Sequence, residues 1–146
     1  MDTVIKALNE LIELDHDAIE AYRAAIDRLE SPDFKSALTA YCADHERHTR
    51  NLSDVVRRLG GTPASGPDMK KFLTKGKVVL ADLVGGDHAI LTAMRMNEEV
   101  TNKAYEAALN VDMDPEARAV VASNLEDERR HRAWIQSQLD LDKREA

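Results

Sequence analysis

The sequence predicts an all-α protein, an antiparallel bundle of four long helices with a long crossover between the second and the third. Three observations carry this. Ala, Leu, Glu, Asp, Arg and Lys dominate the 146 residues and aromatics make up only 4%, a composition that favours helix over sheet. Apolar residues recur at steps of three and four, around polar gaps, in four separate stretches, the period of an amphipathic helix. Short links join these stretches in pairs, whereas residues 60–86 separate one pair from the other, as expected of two antiparallel hairpins joined by a long connection. The length suits a single domain, 1–146, around one core.

The first helix covers about 3–30, on a stripe of Ile5, Leu8, Ile12, Ile19, Tyr22, Ile26 and Leu29 that is interrupted at Asp15. Ser31 and Pro32 read as an N-cap and a first helical residue. They open a second helix, 32–59, with Phe34, Leu38, Tyr41, Leu52, Val55 and Leu59 on its stripe and His45 and His48 in the gap. "GGTPASGP" (60–67) ends it with a glycine and turn formers. Inside the crossover, 60–86, "MKKFLTKGKVVLADLVGG" reads as a short amphipathic helix. The third helix, 87–109, presents Leu91, Met94, Thr101, Tyr105 and Leu109 around a gap at Glu98. Asp114 and Pro115 repeat the cap-then-proline opening. The fourth helix, 115–140, carries Val121, Leu125, Ile135 and Leu139, with Glu128 and His131 among them. The tail "DLDKREA" is expected to fray. The two hairpins resemble each other weakly, "EAYRAAI" (20–26) matching "KAYEAAL" (103–109) and "DHERH" matching "DERRH", as an internal duplication would leave them.

Composition narrows the function classes. Lys and Arg total 20 against 27 Asp and Glu, a formal charge of -7, and the basic residues are dispersed among acids, which argues against nucleic acid as a partner. No apolar run approaches the ~18–20 residues that span a bilayer, so no membrane insertion is expected. A lone Cys42 and an opening "MDTVIKALNEL" without signal-peptide order point to a cytoplasmic protein.

The informative feature is the set of polar residues on otherwise apolar stripes: Asp15, His45, His48, Glu98, Glu128 and His131. Each uncompensated buried charge costs several kcal/mol, so six of them need a reason. Each lies within about four residues of its helix midpoint, roughly 6 Å along the axis. An antiparallel bundle therefore gathers all six into one layer. Three carboxylates and three imidazoles enclosed by apolar turns make a chelating cage for one or two divalent transition-metal ions. The i, i+3 spacing of His45 with His48, and of Glu128 with His131, aims both side chains of each helix at a shared centre. The competing reading is a hydrogen-bonded polar network that fixes helix register without a metal.

These residues resemble the ferritin-like superfamily of di-metal carboxylate bundles, and more closely its small bacterial ferritin-like proteins of unassigned function, over essentially the whole chain. That superfamily uses one Glu from each of two helices and a Glu-x-x-His pair from each of the other two. Glu98 matches a single-carboxylate position, "EDERRH" supplies Glu128 and His131, and His48 matches the second histidine. Two positions depart: His45 stands where a bridging carboxylate is expected, and the first helix offers Asp15, with Glu20 competing.

Asp15, Glu98 and Glu128 supply three negative charges, one short of the usual four, which Asp44, Asp127 or Glu20 could restore. His16 is a further candidate ligand or hydrogen-bond partner. The resemblance implies iron first, with zinc or manganese as alternatives. If iron binds, it implies ferroxidase-like or peroxidase-like oxidation by O2 or peroxide, in a stress role. A non-catalytic zinc or sensing module and a metal-free partner-binding bundle are the alternative functions. A homodimer is the base-rate expectation for assembly.

A hemerythrin-like site fits poorly, because the third helix lacks a His-x-x-x-His pair. Tyr22, Tyr41 and Tyr105 read first as core residues with satisfied hydroxyls, Cys42 as an inert thiol, His88 as a surface residue, and Arg47, Arg129 and Arg130 as solvated ion pairs.

Overall fold

The computed structural model describes residues 2–67 and 85–145. Four helices run in chain order, α1 (Asp2–Arg28), α2 (Pro32–Arg58), α3 (Gly86–Ala108) and α4 (Pro115–Glu145), with no strand among the described residues. The short helix expected in "MKKFLTKGKVVLADLVGG" lies outside the described residues apart from its last two glycines. The expected boundaries agree to within two residues except at the C-terminus. There α4 continues to Glu145 instead of fraying after 140, because "DLDKRE" contains neither Gly nor Pro to stop it.

Local chemistry sets the helix ends. The Ser31 hydroxyl accepts from Phe34 N at 3.2 Å with Pro32 in the first helical position. Asp114 caps α4 in the same way, its carboxylate accepting from Ala117 N at 2.8 Å. At the end of α2, Gly60 adopts φ 87. This lets Gly60 N donate to Arg57 O at 3.0 Å and Gly61 N to Val56 O at 2.9 Å, the paired bonds of a glycine-terminated helix.

Two contacts orient the hairpins. Asp87, in the first turn of α3, accepts from Glu30 N at 2.8 Å and Ser31 N at 2.9 Å, so α3 begins where α1 ends. At the opposite end Arg58 bonds Asp114 at 3.0 Å and pairs with Glu116 at 3.3 Å, so α4 begins where α2 ends. The neighbouring pairs α1·α2, α3·α4, α1·α3 and α2·α4 pack together. Every one of these pairs is antiparallel.

The interior divides into two apolar slabs. One holds Ile19, Tyr22, Leu29, Leu38, Leu91, Met94, Ile135 and Leu139. The other holds Leu8, Ile12, Leu52, Val56, Tyr105, Val121 and Leu125. In sequence order along every helix, Asp15, His45, His48, Glu98, Glu128 and His131 fall between the two slabs, all at 0% exposure. No helix among the described residues is long and apolar enough to cross a membrane. Because Asp87 ties the start of α3 to the α1–α2 turn through two backbone N–H groups, Asp87→Ala is expected to cost about 1–2 kcal/mol. Urea unfolding followed by circular dichroism checks this, and an unchanged midpoint would contradict it.

Candidate metal centre

Heptad-scale spacing in each helix turns the polar residues inward at one height. Asp15 comes from α1, His45 and His48 from α2, Glu98 from α3, and Glu128 and His131 from α4. Their donor atoms form two overlapping groups, Asp15–His45–His48–Glu128 and His45–Glu98–Glu128–His131, each with its donor atoms within 4.8 Å of one another. All six residues of the layer are thus brought together, and both groups share His45 and Glu128.

The distances show how the layer is knitted. His45 Nδ1 donates to Asp15 Oδ1 at 2.7 Å, and its other nitrogen, Nε2, to Glu98 Oε1 at 3.2 Å. His48 Nδ1 lies 3.3 Å from Asp15 Oδ1 and 3.2 Å from Glu128 Oε1. His131 Nδ1 lies 3.4 Å from Glu98 Oε1 and 3.7 Å from Glu128 Oε2. Glu128 Oε1 and His131 Nδ1 are buried without a hydrogen bond among the described residues. Buried polar atoms left this way are costly unless a further ligand engages them, so the donor set fits a metal ion.

Further partners surround the carboxylates. Tyr22 donates to Glu98 Oε1, and Tyr105 to Asp15 Oδ2 at 2.5 Å. Thr101 Oγ1 stands 3.3 Å from both Glu98 Oε2 and Glu128 Oε2. Asn102 Nδ2 bonds the backbone carbonyls of Glu98 and Glu128, at 2.7 and 3.1 Å.

Asp44 and Asp127, expected as possible ligands, belong to neither donor group and sit on the outer nitrogens of the histidines. His131 Nε2 donates to Asp44 at 2.8 Å and His48 Nε2 to Asp127 at 2.9 Å. Once the ring gives up a proton, a carboxylate on the outer N–H selects the tautomer that leaves Nδ1 with its lone pair. Arg47 and Arg130 each bond both aspartates, at 2.6–3.1 Å. They close the α2–α4 seam over the layer, where the sequence suggested only solvated pairs. Arg129 does pair at the surface, 3.8 Å from Glu106. His16 and Glu20 are partly exposed and belong to neither group, and His88 is exposed. Cys42 is buried with Sγ 3.9 Å from Ile19 O, also outside both groups, and burial pushes its thiol up.

The site has an internal twofold relation. Asp15 corresponds to Glu98, Tyr22 to Tyr105, Asp44 to Asp127, His45 to Glu128, Arg47 to Arg130 and His48 to His131, and in every pair the residue numbers differ by the same 83. Contacts cross between the halves: each tyrosine bonds the other half's carboxylate, and each aspartate the other half's histidine. The relation breaks at the periphery. Tyr41 stacks on His131 at 4.2 Å and meets Trp134 edge-on at 5.8 Å. The equivalent positions hold Asn124 and Asn51, whose amides exchange 2.9 Å hydrogen bonds.

Electrostatics follow from burial against pairing. Burial alone would hold the three histidines neutral, but the carboxylates outweigh it. Glu128, Asp15 and Glu98 push His45 well above the histidine range. Asp15 and Glu128 push His48 up to about 9, and Glu128 and Glu98 push His131 up to about 9. Asp15 and Glu98 are held low despite burial, by His45 with His48 and by His131 with His45. Glu128 is raised by burial and by Glu98. Three carboxylates and three protonated imidazoles are formally neutral, and a metal ion entering the layer would displace protons from it.

Residues 3–111 match the family described as a domain of unknown function, DUF2383. No curated protein sequence matches the chain. Solved structures that share its fold include the following three. One is a two-domain protein with DJ-1/ThiJ/PfpI-like and ferritin-like domains from Anabaena variabilis (13% identity, TM-score 0.78, 98% of this chain and 37% of that one). Another is a ferritin-like diiron-carboxylate protein from Bacillus anthracis (22%, 0.76, 94% and 96%). The third is a bacterioferritin-related dodecameric thioferritin from Bacteroides fragilis (17%, 0.82, 98% and 88%). The fold is therefore ferritin-like, and this chain spans little over a third of the Anabaena protein.

The raised histidines give the metal-free protein a defined pH response. His48 and His131 titrate near 6.5 when unfolded and at about 9 when folded. Their contribution is complete below about pH 6.5 and is lost as pH rises through about 9. The depressed Asp15 and Glu98 act oppositely, losing theirs as pH falls below the ordinary carboxylate range. In chelator the melting temperature is expected to peak near pH 5–6 and to fall by several degrees towards pH 9. Scanning calorimetry across that range checks this, and a flat or rising profile from pH 6.5 to 9 would contradict it.

Proposed function

The chain belongs to the DUF2383 family, and we propose that its bundle core binds one or two transition-metal ions, iron foremost, and supports their oxidation by oxygen or peroxide in a stress role. The observation that carries this is the convergence of six fully buried ionisable side chains whose donor atoms fall into two overlapping groups. Fold likeness to a ferritin-like diiron-carboxylate protein supports the same reading.

Asp15, His45, His48, Glu98, Glu128 and His131 would hold the metal. Bound iron supplies the electrons that reduce oxygen or peroxide. The chain's residues bind and orient: Tyr105 fixes the outer oxygen of Asp15, Tyr22 steadies Glu98 through Oε1, and Asp127 and Asp44 hold His48 and His131 in the ligating tautomer. The apolar slabs on either side keep bulk water away from the layer.

A second reading is a non-redox site for zinc or another divalent ion. The donor set favours it, since three imidazoles accompany only three carboxylates, and zinc accepts nitrogen ligands readily.

The test is metal content after anaerobic loading with Fe(II), Mn(II) or Zn(II), beside a His48→Ala, His131→Ala double variant. The wild type is expected to retain one or two ions per chain and the variant to bind at least about 10-fold more weakly. Oxygen added to the iron-loaded protein should produce a charge-transfer band and oxygen uptake. Retention of zinc with no oxygen uptake by the iron form favours the second reading. No retained metal under any loading would leave a metal-free polar clamp and overturn both.

A further inference from the structure

The twofold relation fails inside the cage at one pair of chemically unlike residues: His45 occupies the position that corresponds to Glu128. Both lie at the overlap of the two donor groups. Glu128 turns one oxygen to each half, Oε1 towards His48 and Oε2 towards His131. The His45 ring does the same with its nitrogens. Nδ1 faces Asp15 and Glu128 Oε1, at 2.7 and 3.4 Å, in the half that contains His48. Nε2 faces Glu98 Oε1 at 3.2 Å, in the half that contains His131.

Building on the metal-binding reading above, we propose that His45 bridges two metal ions through its two ring nitrogens, so that the centre is joined by one imidazole and one carboxylate, Glu128. The first ion would take Asp15, His48, Glu128 and His45 Nδ1, and the second Glu98, His131, Glu128 and His45 Nε2. Neither of the other two imidazoles can act this way. The Nε2 atoms of His48 and His131 are committed to Asp127 and Asp44, leaving each one nitrogen for metal.

Charge supports the assignment. The aspartates outside the cage are matched by Arg47 and Arg130, so they contribute no net charge to it. Asp15, Glu98 and Glu128 carry three negative charges against the four positive charges of two divalent ions. A ring that binds an ion at each nitrogen has released its N–H protons to solvent and is an anion. It supplies the fourth negative charge, and no fourth carboxylate is needed.

The test uses the full chain labelled with 15N at histidine and titrated with 113Cd(II), read by NMR. His45 signals are assigned by their loss in His45→Glu. The expected result is two cadmium ions per chain, with one-bond 113Cd–15N coupling at both ring nitrogens of His45 and at Nδ1 alone in His48 and His131. Cadmium binding with coupling at only one His45 nitrogen, or at neither, overturns the bridge while the metal-binding reading stands. Failure to bind Cd(II), Zn(II), Mn(II) or Fe(II) overturns both. His45→Glu adds an independent readout, because a carboxylate at the bridging position should still hold two ions. His45→Ala should lose the second one.

Discussion

Six ionisable side chains share one layer of the bundle with no access to water, and the rest of the architecture answers that constraint. Left unpaired, each would cost several kcal/mol to bury, against the roughly 1.5–3 kcal/mol that a well-buried leucine contributes. The layer is tolerable because it is formally neutral and because apolar slabs above and below hold its members at contact distance. Antiparallel packing of each neighbouring pair of helices is part of the same solution. Midpoints stay level only if each helix begins where its neighbours end, which the Asp87 and Arg58 contacts secure.

Around the charged layer lies a shell of groups that never reach its centre but determine what it presents. The Tyr105 hydroxyl occupies the outer oxygen of Asp15, the Tyr22 hydroxyl shares Glu98 Oε1 with His45, and aspartates occupy the outer nitrogens of His48 and His131. Two arginines then balance the two aspartates across the seam between α2 and α4. Among the described residues, Glu128 Oε1 and His131 Nδ1 meet their neighbours only as ion pairs at 3.2–3.7 Å, without a hydrogen bond.

Much of this was legible in the sequence, because interruption of a helical stripe is a one-dimensional signal. Asp15, His45, His48, Glu98, Glu128 and His131 announced themselves as polar residues at apolar phases, and Ser31–Pro32 and Asp114–Pro115 announced helix starts. Cross-helix partners were not legible. Tyr22 and Tyr105 sit at ordinary core phases, and only the three-dimensional arrangement shows their hydroxyls on carboxylates of other helices. Arg47 and Arg130 sit at exposed phases and looked like solvated charges, since periodicity does not say that α2 and α4 bring Asp44 and Asp127 together. Asn124 and Asn102 are buried polar residues that sequence phase did not flag, and Thr101 stood on the inward stripe without its carboxylate contacts being legible. A constant offset of 83 between matching residues was the available clue, and "DHERH" beside "DERRH" showed part of it.

The crossed contacts have a consequence for what a single polypeptide can do that a pair of identical hairpins cannot. A symmetric dimer of one hairpin would have to place the same residue at both bridging positions and the same residue against both histidines. Carrying the two hairpins on one chain removes that restriction, and here the halves differ where it matters most: an imidazole opposite a carboxylate at the centre, and an aromatic wall opposite an amide wall beside the two histidines. The crossing also prevents the halves from parting. A hairpin on its own would lack the partners that make its buried charges bearable, so neither half is complete without the other.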